Sequence, residues 1–124
     1  MENKILINYS NHPYDYWDSK QKEAAQTYGK VIDIPFPKVN EKEDETYIEQ
    51  LAEKCMLDIL SQGNKTEITV HLMGELTLTF ALLKRLQKLG IRCIASTSKR
   101  MVKEEVSGKK EEVIFIFERF REYR

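Results

Sequence analysis

ITVHLMGELTLTFALLKRLQKLGIRCIAS, residues 68–96, is the stretch that decides the fold. Residues 68–73 form a short apolar run rich in strand-favouring side chains, and residues 91–96 form another. Between them, residues 76–89 carry leucines at helical spacing and end at Gly90. A helix that links two short strands implies parallel pairing through a right-handed crossover.

The same alternation extends toward the N-terminus. Residues 4–8 (KILIN) read as a first strand, stopped by the turn chemistry of Ser10, Asn11, His12 and Pro13. Asp18 followed three residues later by Gln21 resembles a capping box, and a helix over residues 20–28 closes at Gly29. Residues 31–34 form a second strand that Pro35 and Pro37 terminate, because a proline ring cannot donate to a ladder. Residues 45–62 repeat apolar pairs four apart (Tyr47/Ile48, Leu51/Ala52, Cys55/Met56, Ile59/Leu60), which makes an amphipathic helix with Gly63 just beyond it. Gly29, Gly63 and Gly90 all fall where a left-handed residue suits a helix C-terminus. Toward the C-terminus the pattern changes. Residues 100–106, a turn at Ser107 and Gly108, and residues 112–120 read as an antiparallel hairpin. The expected fold is one α/β domain over residues 1–124: a Rossmann-like, mainly parallel sheet ordered β-α-β-α-β-α-β, plus that C-terminal hairpin.

Composition narrows the function classes. Twenty basic and twenty acidic residues cancel, so broad attraction to DNA, RNA or anionic lipid is not expected. No apolar run approaches the roughly 20 residues of a membrane span, and no signal-peptide pattern follows Met1, which points to the cytoplasm. Cys55 and Cys93 lie apart on apolar stripes and are read as buried, reduced thiols. With only His12 and His71 besides, no zinc-like spacing exists, and neither metal nor cofactor is expected. Charge is nevertheless uneven. Residues 41–58 hold seven acids and two bases, and residues 75–103 hold seven bases and one acid, a pattern usual for solvated helix faces.

Open parallel sheets bind ligands at the C-terminal ends of their strands, where strand order reverses. That edge collects Asn8, Ser10, Asn11 and His12 from the first strand, Met73, Gly74 and Glu75 from the third, and Thr97, Ser98, Lys99 and Arg100 from the fourth. Gly74 is the one glycine without a punctuation role. Either a ligand approaches backbone N–H groups there, or the missing side chain relieves crowding between strand and helix. Glu75 suits a ribose or amino-group donor, or else caps its own helix; Thr77 turns to the site or to the sheet. Lys99 and Arg100 suit a compact anion such as a phosphate. His12, in a polar loop, is the candidate for proton transfer, whereas His71, between Val70 and Leu72, reads as a hydrogen-bonded structural histidine. Tyr14, Tyr16 and Trp17 either stack on a base or pack against the first helix. Without GxGxxG, GxxxxGK[ST] or GxSxG, a dinucleotide fingerprint, a P-loop and a serine elbow are all disfavoured.

Taken together, NYSNHP, DIPFPKV, MGELTLTFALLKRLQKLGI, ASTSKR and FERFREY make the chain resemble the small stand-alone CRISPR-associated ring nucleases of type III systems. The resemblance implies a CARF-like homodimer that binds cyclic oligoadenylate, most readily cyclic tetra-adenylate, across its two-fold axis. It further implies linearisation without metal, the ribose 2′-hydroxyl attacking the adjacent phosphate, which switches off the antiviral messenger. Carried onto this chain, it makes His12 the general base or acid and Lys99 or Arg100 the phosphate partner. Ser10, with Asn8 and Asn11, provides orientation in the first loop. Gly74, Glu75, Thr77, Thr97 and Ser98 become ligand contacts. A sequestering module that binds the ring without chemistry is the alternative. A third reading makes the terminal hairpin, with Val113, Phe115 and Phe117 on one face, an assembly interface.

Overall fold

A computed structural model describes residues 3–104 and 111–124. Five strands, β1 (Ile5–Ser10), β2 (Lys30–Pro35), β3 (Ile68–Leu72), β4 (Arg92–Glu104) and β5 (Glu111–Glu122), form one sheet in the order β2-β1-β3-β4-β5. The first four are parallel and β4 pairs antiparallel with β5. Helices α1 (Ser19–Gln26), α2 (Glu45–Leu60) and α3 (Leu76–Lys88) connect the parallel strands. The α/β alternation read from the sequence is therefore present.

Each helix starts where a side chain satisfies an orphan backbone donor. Asp18 accepts from the Gln21 amide, Asp44 from that of Tyr47, and Glu75 from those of Thr77 and Leu78. Helices α2 and α3 cover one sheet face with Ala52, Cys55, Ile59, Leu78, Leu82 and Leu86, against Ile7, Val70 and Leu72 from the strands. Both cysteines are free and buried, and burial pushes the Cys93 thiol up to about 12. Arg85 of α3 donates to the carboxylates of Glu49 and Glu53 on α2, so the acidic and basic runs partly meet each other. The opposite face packs Leu6 and Ile94 against Ala25, Trp17, Phe117 and Phe120, and among the described residues α1 and the short 3-10 turn at Tyr14–Tyr16 are the helices beside it.

The C-terminal third differs from the expected six-strand layout. Residues 97–104 do not leave the sheet to begin a separate hairpin strand; they continue β4 without a break, paired with β5 from Arg119 to Glu111. No glycine or proline interrupts TSKRMV, and β5 offers a partner along its whole length, so extension costs no ladder bonds. A bulge at Thr97/Ser98 leaves Glu118 as the extra residue of β5. Lys99 and Arg100 are accordingly strand residues opposite Ile116 and Phe115, not loop residues. The expected turn at Ser107 and Gly108 lies outside the described residues. Gly29 and Gly90 take positive φ, 126° and 78°, whereas Gly63 does not.

Candidate functional site

Side chains on a strand alternate between faces, and this places four polar groups together. Asp33 of β2, Asn8 of β1 and His71 of β3 are direct register partners, forming one row across three strands. Ser96 of β4 continues that row on the same face, two residues beyond Ile94, the partner of His71. Asn8 and His71 are only 1% and 2% exposed, so their polar atoms must find partners within the protein.

They do, and the partners fix every orientation. The Asn8 amide group donates to Asp33 Oδ1 at 2.8 Å and to the His12 carbonyl at 2.8 Å. Its carbonyl oxygen therefore faces the other way, accepting from Ser10 Oγ at 2.7 Å and meeting His71 Nδ1 at 2.9 Å. An amide oxygen can only accept, so His71 carries its proton on Nδ1 and leaves Nε2 as an acceptor. Ser96 Oγ stands 3.2 Å from that nitrogen. Trp17 and Phe120 lie edge-on to the imidazole, at 5.3 and 5.5 Å between centroids. Burial, helped by nearby His12, pulls His71 down to about 4, so the ring is neutral near neutral pH.

Above this row opens a cleft of about 670 Å³ at the C-terminal ends of β1 and β3, beside β4. The sheet order reverses between β1 and β3, at the same edge. Tyr16, Trp17, Asp18 and Gln21, from the segment that enters α1, wall one side of the cleft. Of the residues singled out in the sequence, Ser10, Asn11, His12, Gly74, Thr97 and Ser98 line it. Ser10 is already occupied, donating to Asn8 and accepting from the His12 amide at 3.2 Å, which folds the 10–12 turn. Thr97 exchanges two hydrogen bonds with the Arg119 backbone.

Five expected site residues are placed elsewhere. Asn8 lies beneath the cleft, enclosed by its own partners. Glu75 and Thr77 bond to each other as the α3 cap, which holds the Glu75 carboxyl below the usual carboxylate range; neither lines the cleft. Lys99 and Arg100 are exposed on the β4 extension, outside the lining. Conversely, His71 and Ser96 line the cleft, and Ser96 was not singled out. The signal available in the sequence was weak: Asp33 interrupts an apolar run in β2, but Asn8, His71 and Ser96 each share their strand with other polar residues. Trp17 is buried, donating from Nε1 to the His12 carbonyl at 3.0 Å, whereas Tyr16 is exposed at the cleft rim.

Gly74 resolves into the crowding explanation. A Cβ there would sit 2.4 Å from the buried Phe36 ring, which packs edge-on against Tyr9. Gly74→Ala is expected to lower stability by about 1–3 kcal/mol through overpacking. Phe36→Leu in the same chain should return part of that loss; a urea-unfolding double-mutant cycle with no coupling between the two sites would refute the explanation.

Fold and cleft together define an α/β protein with a mainly parallel five-stranded sheet and a polar strand-end site built around a neutral histidine. The family model described as the uncharacterized protein MJ1673 family matches residues 4–121, and the chain belongs to that family. No curated protein matches it. Among the described residues, no helix is long and apolar enough to cross a membrane, and no three His, Cys, Asp or Glu side chains converge as a metal site.

Proposed function

We propose that the protein has a CARF-like, Rossmann-like fold and binds cyclic oligoadenylate, cyclic tetra-adenylate foremost, in this cleft. Two copies share one ring, which is linearised by attack of a ribose 2′-hydroxyl on the neighbouring phosphate. The observation that carries the reading is the convergence of residues 10–12, 73–74 and 96–98 on one cleft beside the reversal of strand order. Directed donors and acceptors from Asn11, Ser98 and His12 suit bases and riboses, and exposed Tyr16 offers a stacking surface. A cleft of about 670 Å³ suits one drug-sized ligand, so a ring of four nucleotides would overhang it and meet a second cleft related by two-fold symmetry. The overhanging part would meet Lys99 and Arg100 next to Ser98. Exposed Met101, Val102, Val113, Phe115 and Ile116 give the β4–β5 ribbon apolar surface for the pairing of copies.

One observation favours sequestration without cleavage. Among the described residues lining the cleft there is no lysine or arginine, and a phosphorane needs positive charge or strong donors where its own charge develops. Calorimetry with cyclic tri-, tetra- and hexa-adenylate, paired with chromatography of the products in EDTA, separates the two readings. Expected are one tetra-adenylate ring per two chains and linear products ending in a 2′,3′-cyclic phosphate. Tight binding with unchanged ring would select sequestration, and no binding of any ring would remove both.

A further inference from the structure

We propose, on the reading of the cleft as a cyclic oligoadenylate site, that Ser96 and His71 form its proton acceptor, held in working order by Asn8 and Asp33. The substrate group would be the ribose 2′-hydroxyl of a nucleotide phosphodiester. Ser96 is the catalytic residue in this scheme because it lines the cleft; Asn8 and Asp33 are positioning residues acting through His71.

The order of hydrogen bonds gives the chain a direction. Asp33 is a pure acceptor, taking the Tyr14 amide as well as the Asn8 amide group. It thereby forces the Asn8 oxygen toward His71 Nδ1, 25 and then 63 residues apart along the chain. His71 Nε2 is left with a lone pair directed at the Ser96 hydroxyl. Ser96 also lies 3.1 Å from Met73 Sδ, but a thioether is a weak acceptor and an imidazole nitrogen a good one. An asparagine facing a histidine with its amide N–H₂ would enforce the opposite tautomer and disable the base. Asp33 prevents that flip.

In the step, the 2′-hydroxyl passes its proton to Ser96 Oγ while the Ser96 proton moves to His71 Nε2. The 2′-oxygen bonds to phosphorus as the bond from phosphorus to the 5′-oxygen breaks. The leaving oxygen takes a proton from solvent, and His71 returns its own to solvent through Ser96, so the protein ends unchanged. Held neutral by burial, His71 is ready to accept near neutral pH, and its low basicity makes the transfer transient.

Two measurements test this. First, imidazole ¹⁵N shifts of the free protein should show the Nδ1–H tautomer of His71, and Asp33→Asn should let the Nε2–H form appear. A wild-type Nε2–H form overturns the proposal whatever the ligand. Second, Ser96→Ala should stay folded with a lowered unfolding midpoint, because His71 Nε2 loses its partner, and bind cyclic tetra-adenylate with unchanged affinity, yet cleave about 100-fold more slowly in kcat. Ser96→Thr should restore much of the rate. Cleavage by Ser96→Ala at the wild-type rate overturns the proposal and leaves the cleft reading standing. Binding without cleavage by the wild type does the same. Absence of binding by the wild type strikes the cleft reading itself, and the proposed step with it.

Discussion

Acidification from pH 7 to pH 4 is expected to destabilise the fold by about 3 kcal/mol through His71 alone. In the folded protein this imidazole is depressed from 6.5 to about 4, burial first and His12 second. Above 6.5 both folded and unfolded chains carry a neutral ring, and the group has no effect on stability. Below 6.5 the unfolded chain takes up a proton that the folded chain refuses, so stability falls as pH drops. Below about 4 both states are protonated and the loss is complete. Urea midpoints at several pH values, compared between the wild type and His71→Gln, isolate this contribution from that of the carboxylates. Parallel pH curves for the two proteins, or an NMR titration of His71 near an ordinary histidine value, would contradict the expectation. The consequence reaches the site, because an imidazolium has protons on both nitrogens and could no longer accept from Ser96.

Gly29→Ala is expected to cost about 3 kcal/mol or more, combining backbone strain with a clash that side-chain repacking cannot relieve. Gly29 has φ of 126°, and a Cβ would stand 2.2 Å from the Lys4 carbonyl oxygen and 2.4 Å from its carbon. That carbonyl accepts from the Lys30 amide at 3.0 Å, at the start of the β1–β2 ladder. Moving it would disturb the register that sets Asp33 against Asn8. Gly90→Ala is the control: its φ of 78° carries strain, but nothing lies within 4 Å of an added Cβ. The cost there should be about 1 kcal/mol. Equal losses at the two positions in thermal or urea unfolding would show that the Lys4 contact contributes nothing.

The legible parts of this protein were those fixed by neighbours in sequence. Apolar spacing within α2, the Asp18 cap of α1 and the stop at Pro35 are each decided within a turn or two of chain. The extent of β4 was not legible, because Thr97, Ser98, Lys99 and Arg100 take their conformation from the β5 backbone facing them. An expectation that put Lys99 and Arg100 in a strand-end loop therefore misplaced the two cations meant for the phosphate. Glu75 and Gly74 each had two readings that local pattern could not separate. The nearby Thr77 and Leu78 amides settled the first, and the distant Phe36 ring settled the second.

By itself, then, the order of residues determined the three helices, the Asp18 cap, the parallel alternation and the edge where polar residues gather. The tertiary structure alone decided that Asp33, Asn8, His71 and Ser96 share one face and one line of hydrogen bonds. The reason is physical. Period and capping are properties of a single segment, whereas register between strands is set by the whole sheet, and a shift of one residue would turn each of these side chains to the opposite face.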